Sequence, residues 1–438
     1  MKATFISLGC PKNVVDLETI LGRLDGQLEW TKDPRNADVT IINTCAFIDA
    51  AKEEAIDIIL EIAELKKTNP AALLLVCGCM AQRYKERLAE ELPEIDAVFN
   101  SVDPEETARE ISRYLRLSAK SDAPRKPLTP AHSAYLKIAE GCDNRCRYCA
   151  IPLIKGRFRS RNHEEVVAEA HLLAERGVRE LILVAQDTTY YGHDRQQDHA
   201  LSDLLADLNQ VPNLAWIRVL YTHPQHWTDR LIEHFAELPR VVKAIDLPIQ
   251  HINDRVLASM GRHNRRKDLE ALLQRLRTRI PGVALRTSLI VGYPGETESE
   301  FQELVEFVES FEFDRLGVFT YSHEENTPAY RLEDNIPAAE KTARQEELML
   351  LQAEISEAKN QKLLQKTIPV LIDEWDADRR VSVGRTYRDA PEVDNSVLIP
   401  DQLGQGRFYP VLIRSVEMYD LFGIPNGNPI DLPPAGWE

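Results

Sequence analysis

Three cysteines fall close together in Gly141-Cys142-Asp143-Asn144-Arg145-Cys146-Arg147-Tyr148-Cys149, a C-x-x-x-C-x-x-C spacing just after an apolar run that predicts a strand. A 4Fe-4S cluster normally takes four cysteine thiolates, so a three-cysteine site leaves one iron free to bind a cofactor or substrate. The same logic separates catalytic zinc sites, which keep an open position, from structural ones. Zinc is the competing reading of the thiols, and it asks for a fourth Cys or His, for which His163 is the nearby candidate.

The other cysteines are dispersed. Cys10 follows Thr4-Phe5-Ile6-Ser7-Leu8-Gly9, Cys45 follows Val39-Thr40-Ile41-Ile42-Asn43-Thr44, and Cys79 follows Leu73-Leu74-Leu75-Val76-Cys77-Gly78. All three stand at the carboxyl ends of predicted parallel strands, the edge of an open α/β sheet where ligands gather. Residues far apart in sequence are thereby expected side by side as a second metal site; the alternative is three unrelated buried thiols. Cys77, inside the third strand, is read as core packing. The N-terminus lacks the long apolar stretch of a signal peptide, and no apolar run approaches a membrane span. A cytoplasmic protein is expected, in which cysteines, seven in all, are metal ligands or catalytic groups rather than disulfides, Cys77 excepted.

These residues need elements to position them. Of 438 residues, 28% are charged and 43% apolar, an ordinary globular balance for two to four domains. Residues 1–120 alternate short apolar runs (3–8, 39–43, 73–76, 98–99) with amphipathic stretches (16–24, 52–66, 82–92), predicting an open α/β domain with a parallel sheet. The Pro-rich text from Ser118 to His132 predicts a linker. Over 132–366, six strands near 135–139, 180–185, 216–221, 243–248, 284–291 and 315–321 predict a partial (βα)6 barrel whose functional end lies at the carboxyl ends of its strands. A helix is expected from about 338 to 365. Four short strands, 370–375, 382–387, 396–399 and 409–416, then predict a small β-barrel over 367–438.

The Cys142, Cys146, Cys149 spacing, with an aromatic residue before the last cysteine, resembles the radical S-adenosylmethionine superfamily. That resemblance implies that the open iron chelates S-adenosylmethionine, with Tyr148 beside it. Gln186, in the polar end Gln186-Asp187-Thr188 of the second barrel strand, resembles the place where the methionyl amine is bound. Gly292 and Glu296, in Gly292-Tyr293-Pro294-Gly295-Glu296, resemble the adenosine-contacting turn. Arg286 and His251 are either further cofactor contacts or buried and satisfied within the protein. The N-terminal segments Leu8-Gly9-Cys10, Asn43-Thr44-Cys45 and Gly78-Cys79-Met80-Ala81-Gln82-Arg83 extend the likeness over essentially the whole chain to the methylthiotransferases, the last barrel resembling their TRAM domain. The family implies two 4Fe-4S clusters, the second on Cys10, Cys45 and Cys79, where sulfur is methylated before insertion at a carbon radical.

The stretch Cys10-Pro11-Lys12-Asn13 resembles the branch that modifies an aspartate β-carbon of ribosomal protein S-twelve rather than the branch that modifies an adenosine of transfer RNA. The chain departs from that pattern at Leu17, where Ser is expected, and at Lys155, where Arg is expected. The net charge is −17, and the last barrel has no lysine after Lys366. Its acids, including the run Asp373, Glu374, Asp376 and Asp378, suit a basic protein better than RNA, which asks for a basic groove with stacking aromatics. The expected partners are ribosomal protein S-twelve, free or in the small subunit, an electron donor such as flavodoxin or ferredoxin, and a sulfur source, with no membrane. A reading of another class, a non-catalytic iron–sulfur factor docked to ribosomes, would need the clusters but not the open iron.

Overall fold

The computed structural model describes residues 1–117 and 124–431. They form two compact units. The first holds 1–129 with 140–158 and 322–327; the second holds 130–139, 159–321 and 328 onward.

The first unit is built on a parallel sheet of five strands, β1 (Lys2–Ser7), β2 (Glu29–Trp30), β3 (Val39–Thr44), β4 (Leu73–Gly78) and β5 (Ala97–Val98), in the order β2-β1-β3-β4-β5. β3 is buried at all six positions, as expected of a central strand covered on both faces. One face carries α2 (Asp49–Lys66), α3 (Cys79–Glu91) and the short α5 (Ile151–Lys155), with Ile42, Ile59, Leu74, Val76, Met80, Leu88 and Ile154 in one core. The other carries α1 (Pro11–Leu24) and α4 (Pro104–Tyr114), with Ile20, Leu24, Val39, Ile41, Leu75 and Ile111. Each such side chain contributes about 1.5–3 kcal/mol.

α1 and α3 begin earlier than periodicity suggests. Cys10 is the residue that caps α1, with Pro11 in its first turn, and Cys79 is the first residue of α3. Proline suits that position because its missing N–H has no helical partner there. Residues 118–123 of the expected linker lie outside the described residues. The part that follows is docked: the Arg125 guanidinium reaches Glu18 at 2.6 Å, and the Leu128 N–H donates to the same carboxylate at 2.7 Å.

The second unit contains the six expected barrel strands as one parallel sheet, in the order Arg315–Thr320, Ala284–Val291, Val241–Asp246, Trp216–Val219, Glu180–Val184, Ser133–Lys137. The helix Ala338–Gln361 runs along the edge strand, where Gln345 and Gln352 donate to the carbonyls of Val318 and Phe313. The terminal domain is a closed barrel of Thr367–Asp376, Val381–Arg385, Val397–Ile399, Phe408–Val416 and Leu421–Pro425. The last strand was not expected, because its Gly and Pro read as punctuation. Leu371, Tyr387 and Phe408 of this barrel share a core with Trp216, Val242, Ala244 and Ala284 of the six-stranded sheet.

Buried ion pairs line the same junction. Glu180 accepts from Arg218 at 2.9 Å and from Arg385 at 2.7 Å, all three nearly inaccessible to solvent. Asp373 takes Arg385 at 2.7 Å and His132 at 2.9 Å. This corrects the expectation of a uniform acidic docking run: Asp373 is a structural partner of Arg385, while Glu374 and Asp378 are exposed.

Candidate active site

In the first unit the strand ends bring Cys10, Cys45 and Cys79 together. The backbone ahead of Cys10 lies directly on Cys45: at Gly9, with φ +88°, an added Cβ would meet the Cys45 Cβ at 2.7 Å and Sγ at 2.9 Å. Only glycine fits that approach. Cys45 and Cys79 are buried, Cys10 half-buried. Asn13 joins the three segments. Its Nδ2 donates to the Leu8 carbonyl and to the Thr44 carbonyl, each at 3.1 Å, and its Oδ1 accepts from the Cys79 thiol at 3.4 Å. Its own carbonyl accepts from Asn43 Nδ2 at 2.7 Å. Sequence reasoning quoted Asn13 only as part of a motif; nothing local signals that it reaches Leu8 and Thr44.

Burial pushes the Cys79 thiol up to about 12, the neighbouring Cys10 and Cys45 adding to the shift while Lys155 opposes it. Burial likewise raises Cys45. Iron must therefore displace protons from these groups, as thiolate ligation generally requires. Two of the three stand at helix N-termini, where backbone N–H groups and the helix dipole favour negative charge. Three converging thiols and a glycine cradle fit a cluster. Cys77 lies elsewhere, in the core with Leu75, Phe99 and Ile111 on the α1 side of the sheet.

The loop carrying Cys142, Cys146 and Cys149 belongs to the same unit. It is braced internally: the Cys142 N–H donates to the Gly156 carbonyl at 3.2 Å, and the Cys149 N–H to the Cys146 carbonyl at 3.1 Å. Arg145 is left-handed with φ 55°, which turns the chain between the first two cysteines. Asp143 accepts from Arg157 at 2.9 Å and from the Phe158 N–H at 3.3 Å, and the Arg157 bond holds its carboxyl below the usual range. All three cysteines, and Tyr148 among them, are half-buried.

In the second unit Gln186 directly follows the strand Glu180–Val184 by two residues. Gly292 and Glu296 form a turn closed on itself. Glu296 is buried, accepts from His251 at 3.0 Å and from Arg344 at 3.0 Å, and takes the Gly292 N–H. At Gly292, φ +71°, a Cβ would fall 2.3 Å from Lys341 Cγ, so the backbone approach there is to the Lys341 stem. Arg286 stands near the start of its strand rather than its carboxyl end, bound to Asp246 at 2.9 Å and Asp394 at 3.3 Å.

A polar cluster that sequence reasoning missed closes the ends of the second and third barrel strands. The ligand atoms of Asp187, His223 and His226 lie within 4.8 Å of one another. His226 Nδ1 contacts Asp187 at 2.9 Å; the His223 ring receives the Gln225 N–H at 3.2 Å and has the Arg262 guanidinium 2.9 Å from Nε2. Burial, then Arg262, keeps His223 well below its ordinary value. A cation at this cluster would have to displace a guanidinium, so it is described as a hydrogen-bonded network.

Three family models match the chain: the radical SAM superfamily over residues 136–308, Uncharacterized protein family UPF0004 over 2–100, and the TRAM domain over 366–425. The chain is 44% identical over 445 aligned positions to the ribosomal protein uS12 methylthiotransferase RimO of Acetivibrio thermocellus, covering 96% of this chain and 98% of the relative. It is 46% identical to the protein of the same name from Desulforamulus reducens, covering 95% and 98%. The chain belongs to the uS12 methylthiotransferase family. It is thus an enzyme of the radical SAM type. Among solved structures it is similar to the radical S-adenosylmethionine methyltransferase TsrM of Kitasatospora setae, with a TM-score of 0.53, 16% identity, and coverage of 75% of this chain and 77% of that one; the likeness is one of fold. Among the described residues no helix is long and apolar enough to cross a membrane.

Proposed function

We propose that this chain methylthiolates an aspartate β-carbon of ribosomal protein uS12 in the cytoplasm. Cys142, Cys146 and Cys149 hold one 4Fe-4S cluster, and Cys10, Cys45 and Cys79 hold a second. The observation that carries the reading is the end-to-end likeness to proteins of that activity, at 44–46% identity, combined with the convergence of Cys10, Cys45 and Cys79 in one unit. Cys142, Cys146 and Cys149 would hold the cluster that binds S-adenosylmethionine, and that pair would supply the reductive radical chemistry that activates the substrate carbon. The chain's own residues orient and exclude. Asn13 holds the three N-terminal ligand segments in register, and the Asp143–Arg157 pair braces the second cysteine loop. Tyr148, Gln186 and Gly292 are the proposed S-adenosylmethionine contacts, Arg286 being held by Asp246 and Asp394 at the start of its strand and Glu296 by His251 and Arg344 within the protein, and an external electron donor and sulfur source complete the reaction. We propose 1–120, 132–366 and 367–438 as the three sequence domains, of which the second lends 140–158 to the core of the first.

The test is reconstitution of the purified enzyme with iron, sulfide and a reductant, presented with S-adenosylmethionine, uS12 and transfer RNA together. We expect deoxyadenosine and a uS12 aspartate in which one hydrogen is replaced by a methylthio group, read by mass spectrometry. Modified transfer RNA with untouched uS12 would overturn the substrate, and clusters without deoxyadenosine would favour a non-catalytic factor.

A further inference from the structure

Lys155 is the last residue of α5, six positions after Cys149, and its side chain is 2% exposed. Its ammonium lies 3.0 Å from Asp16 Oδ2 and 3.8 Å from Glu140 Oε2. The two carboxylates come from different places: Asp16 sits in α1, the helix that Cys10 caps, and Glu140 lies two residues before Cys142. One buried cation therefore ties the segment carrying one cysteine set to the segment carrying the other. An isolated buried ammonium would shed its proton. Burial does oppose the charge of Lys155, but Asp16, Glu140 and Cys79 more than offset it, so the group is held above its ordinary value and stays charged. α5 lies against α3, where Ile154, the neighbour of Lys155, shares a core with Cys79, and the ammonium acts on the thiols of both Cys79 and Cys77.

We propose that Lys155 is a positioning residue for the N-terminal cluster: its ammonium pins the Cys142–Cys149 loop to α1 and sets a fixed positive charge beside Cys79 that makes the cluster held there easier to reduce. This rests on the two-cluster reading above. The physics is one of net charge. A cluster on three thiolates is negative, reduction makes it more so, and in a low-dielectric surrounding a nearby fixed cation favours the reduced form. Asp16, paired with the same lysine, carries the opposite charge. The two residues therefore act in opposite directions on the potential, whereas two merely structural partners would perturb it alike.

The experiment uses the full chain with Cys142, Cys146 and Cys149 replaced by Ala, so that the iron measured belongs to the N-terminal site, and follows its reduction by electron paramagnetic resonance against applied potential. At the potential where this parent is half reduced, Lys155→Met should lower the reduced-to-oxidised ratio by about tenfold, equivalent to 59 mV for one electron. Asp16→Asn should raise the ratio, and Lys155→Arg should stay near the parent. Shifts of the same sign in Lys155→Met and Asp16→Asn, or no shift in either with iron retained, would overturn the proposal. Should Lys155→Met fail to hold iron, Asp16→Asn decides it: a raised ratio supports the charge effect and an unchanged or lowered one ends it. A parent without iron would instead overturn the two-cluster reading itself.

Discussion

At the scale of single residues, the N-terminal site depends on a side chain that is not itself a ligand. Asn13→Ala would strip donors from the Leu8 and Thr44 carbonyls and an acceptor from the Cys79 thiol. Unmet buried groups of this kind cost about 1–3 kcal/mol each. The expected outcome is loss of the N-terminal cluster with retention of the other, read as about half the iron of the parent, since ligand placement and metal binding are coupled. Cys77→Ala should keep all of the iron, because its thiol sits in the apolar core, whereas Cys79→Ala should lose the N-terminal share. Iron analysis of both variants checks the pair, and loss of cluster in Cys77→Ala would exchange their roles. The candidate ligands were legible because each follows an apolar run that ends in Gly or Thr. Asn13 was not, since its partners lie five and 31 positions away. Asp373 was misread for the same reason: its partner Arg385 is 12 positions off, and a run of acids looks alike whether or not one of them turns inward.

At the scale of elements, helix ends carry both site and stability. The helix Glu298–Phe311 follows the Gly292–Glu296 turn and starts in a capping box in which Thr297 and Glu300 hold each other's N–H groups. The Arg255 guanidinium on Glu300 holds that carboxyl down to about 2. A depressed carboxyl stabilises the fold above its unfolded value of about 4.3, and the contribution fades as pH falls toward the folded value. Glu300→Gln should therefore destabilise by about 1 kcal/mol at neutral pH, the typical worth of a cap. The gap between variant and parent in urea midpoints should narrow once pH drops below about 4; a gap that stays constant as pH falls on toward the folded value of about 2 would mean the charge contributes nothing. The central strands and most helices were readable from apolar runs and periodicity. β2, with two residues, and Leu421–Pro425, with Gly and Pro inside, were too short or too punctuated to register. Nor could sequence alone tell that 140–158 packs with the N-terminal sheet, because Ala150 and Ile154 meet Leu74 and Met80 only in the folded core.

At the scale of the whole molecule, the terminal barrel carries none of the cysteines, which by itself suggests that both clusters would survive its removal. The structure argues otherwise. Ending the chain after Lys366 would uncover Trp216, Val242, Ala244 and Ala284 and leave Glu180 and Arg218 without Arg385 and the Tyr387 carbonyl. Breaking a buried charge network of this kind costs about 3–5 kcal/mol. The truncated chain should aggregate or melt well below the intact one in size-exclusion and calorimetry; an unchanged melting temperature would show the barrel to be separable after all. Charge reversal must accordingly be read residue by residue. Lys at the exposed Glu374 or Asp378 should alter only the association rate with a basic partner, and less so at high salt, where the Debye length falls below ~8 Å. Lys at Asp373 should instead lower stability.

The spread of the ligands along the chain also orders events during synthesis. Cys10, Cys45 and Cys79 leave the ribosome first, yet they meet only once β1, β3 and β4 have paired, so on the proposed assignment the N-terminal cluster can be loaded only into folded protein. Cys142, Cys146 and Cys149 emerge later but sit in one short loop, whose closure costs little entropy, and can take up iron before the barrel is finished. Chains arrested in urea should therefore retain affinity for iron at the second set alone, and the site that is translated first is the one matured last.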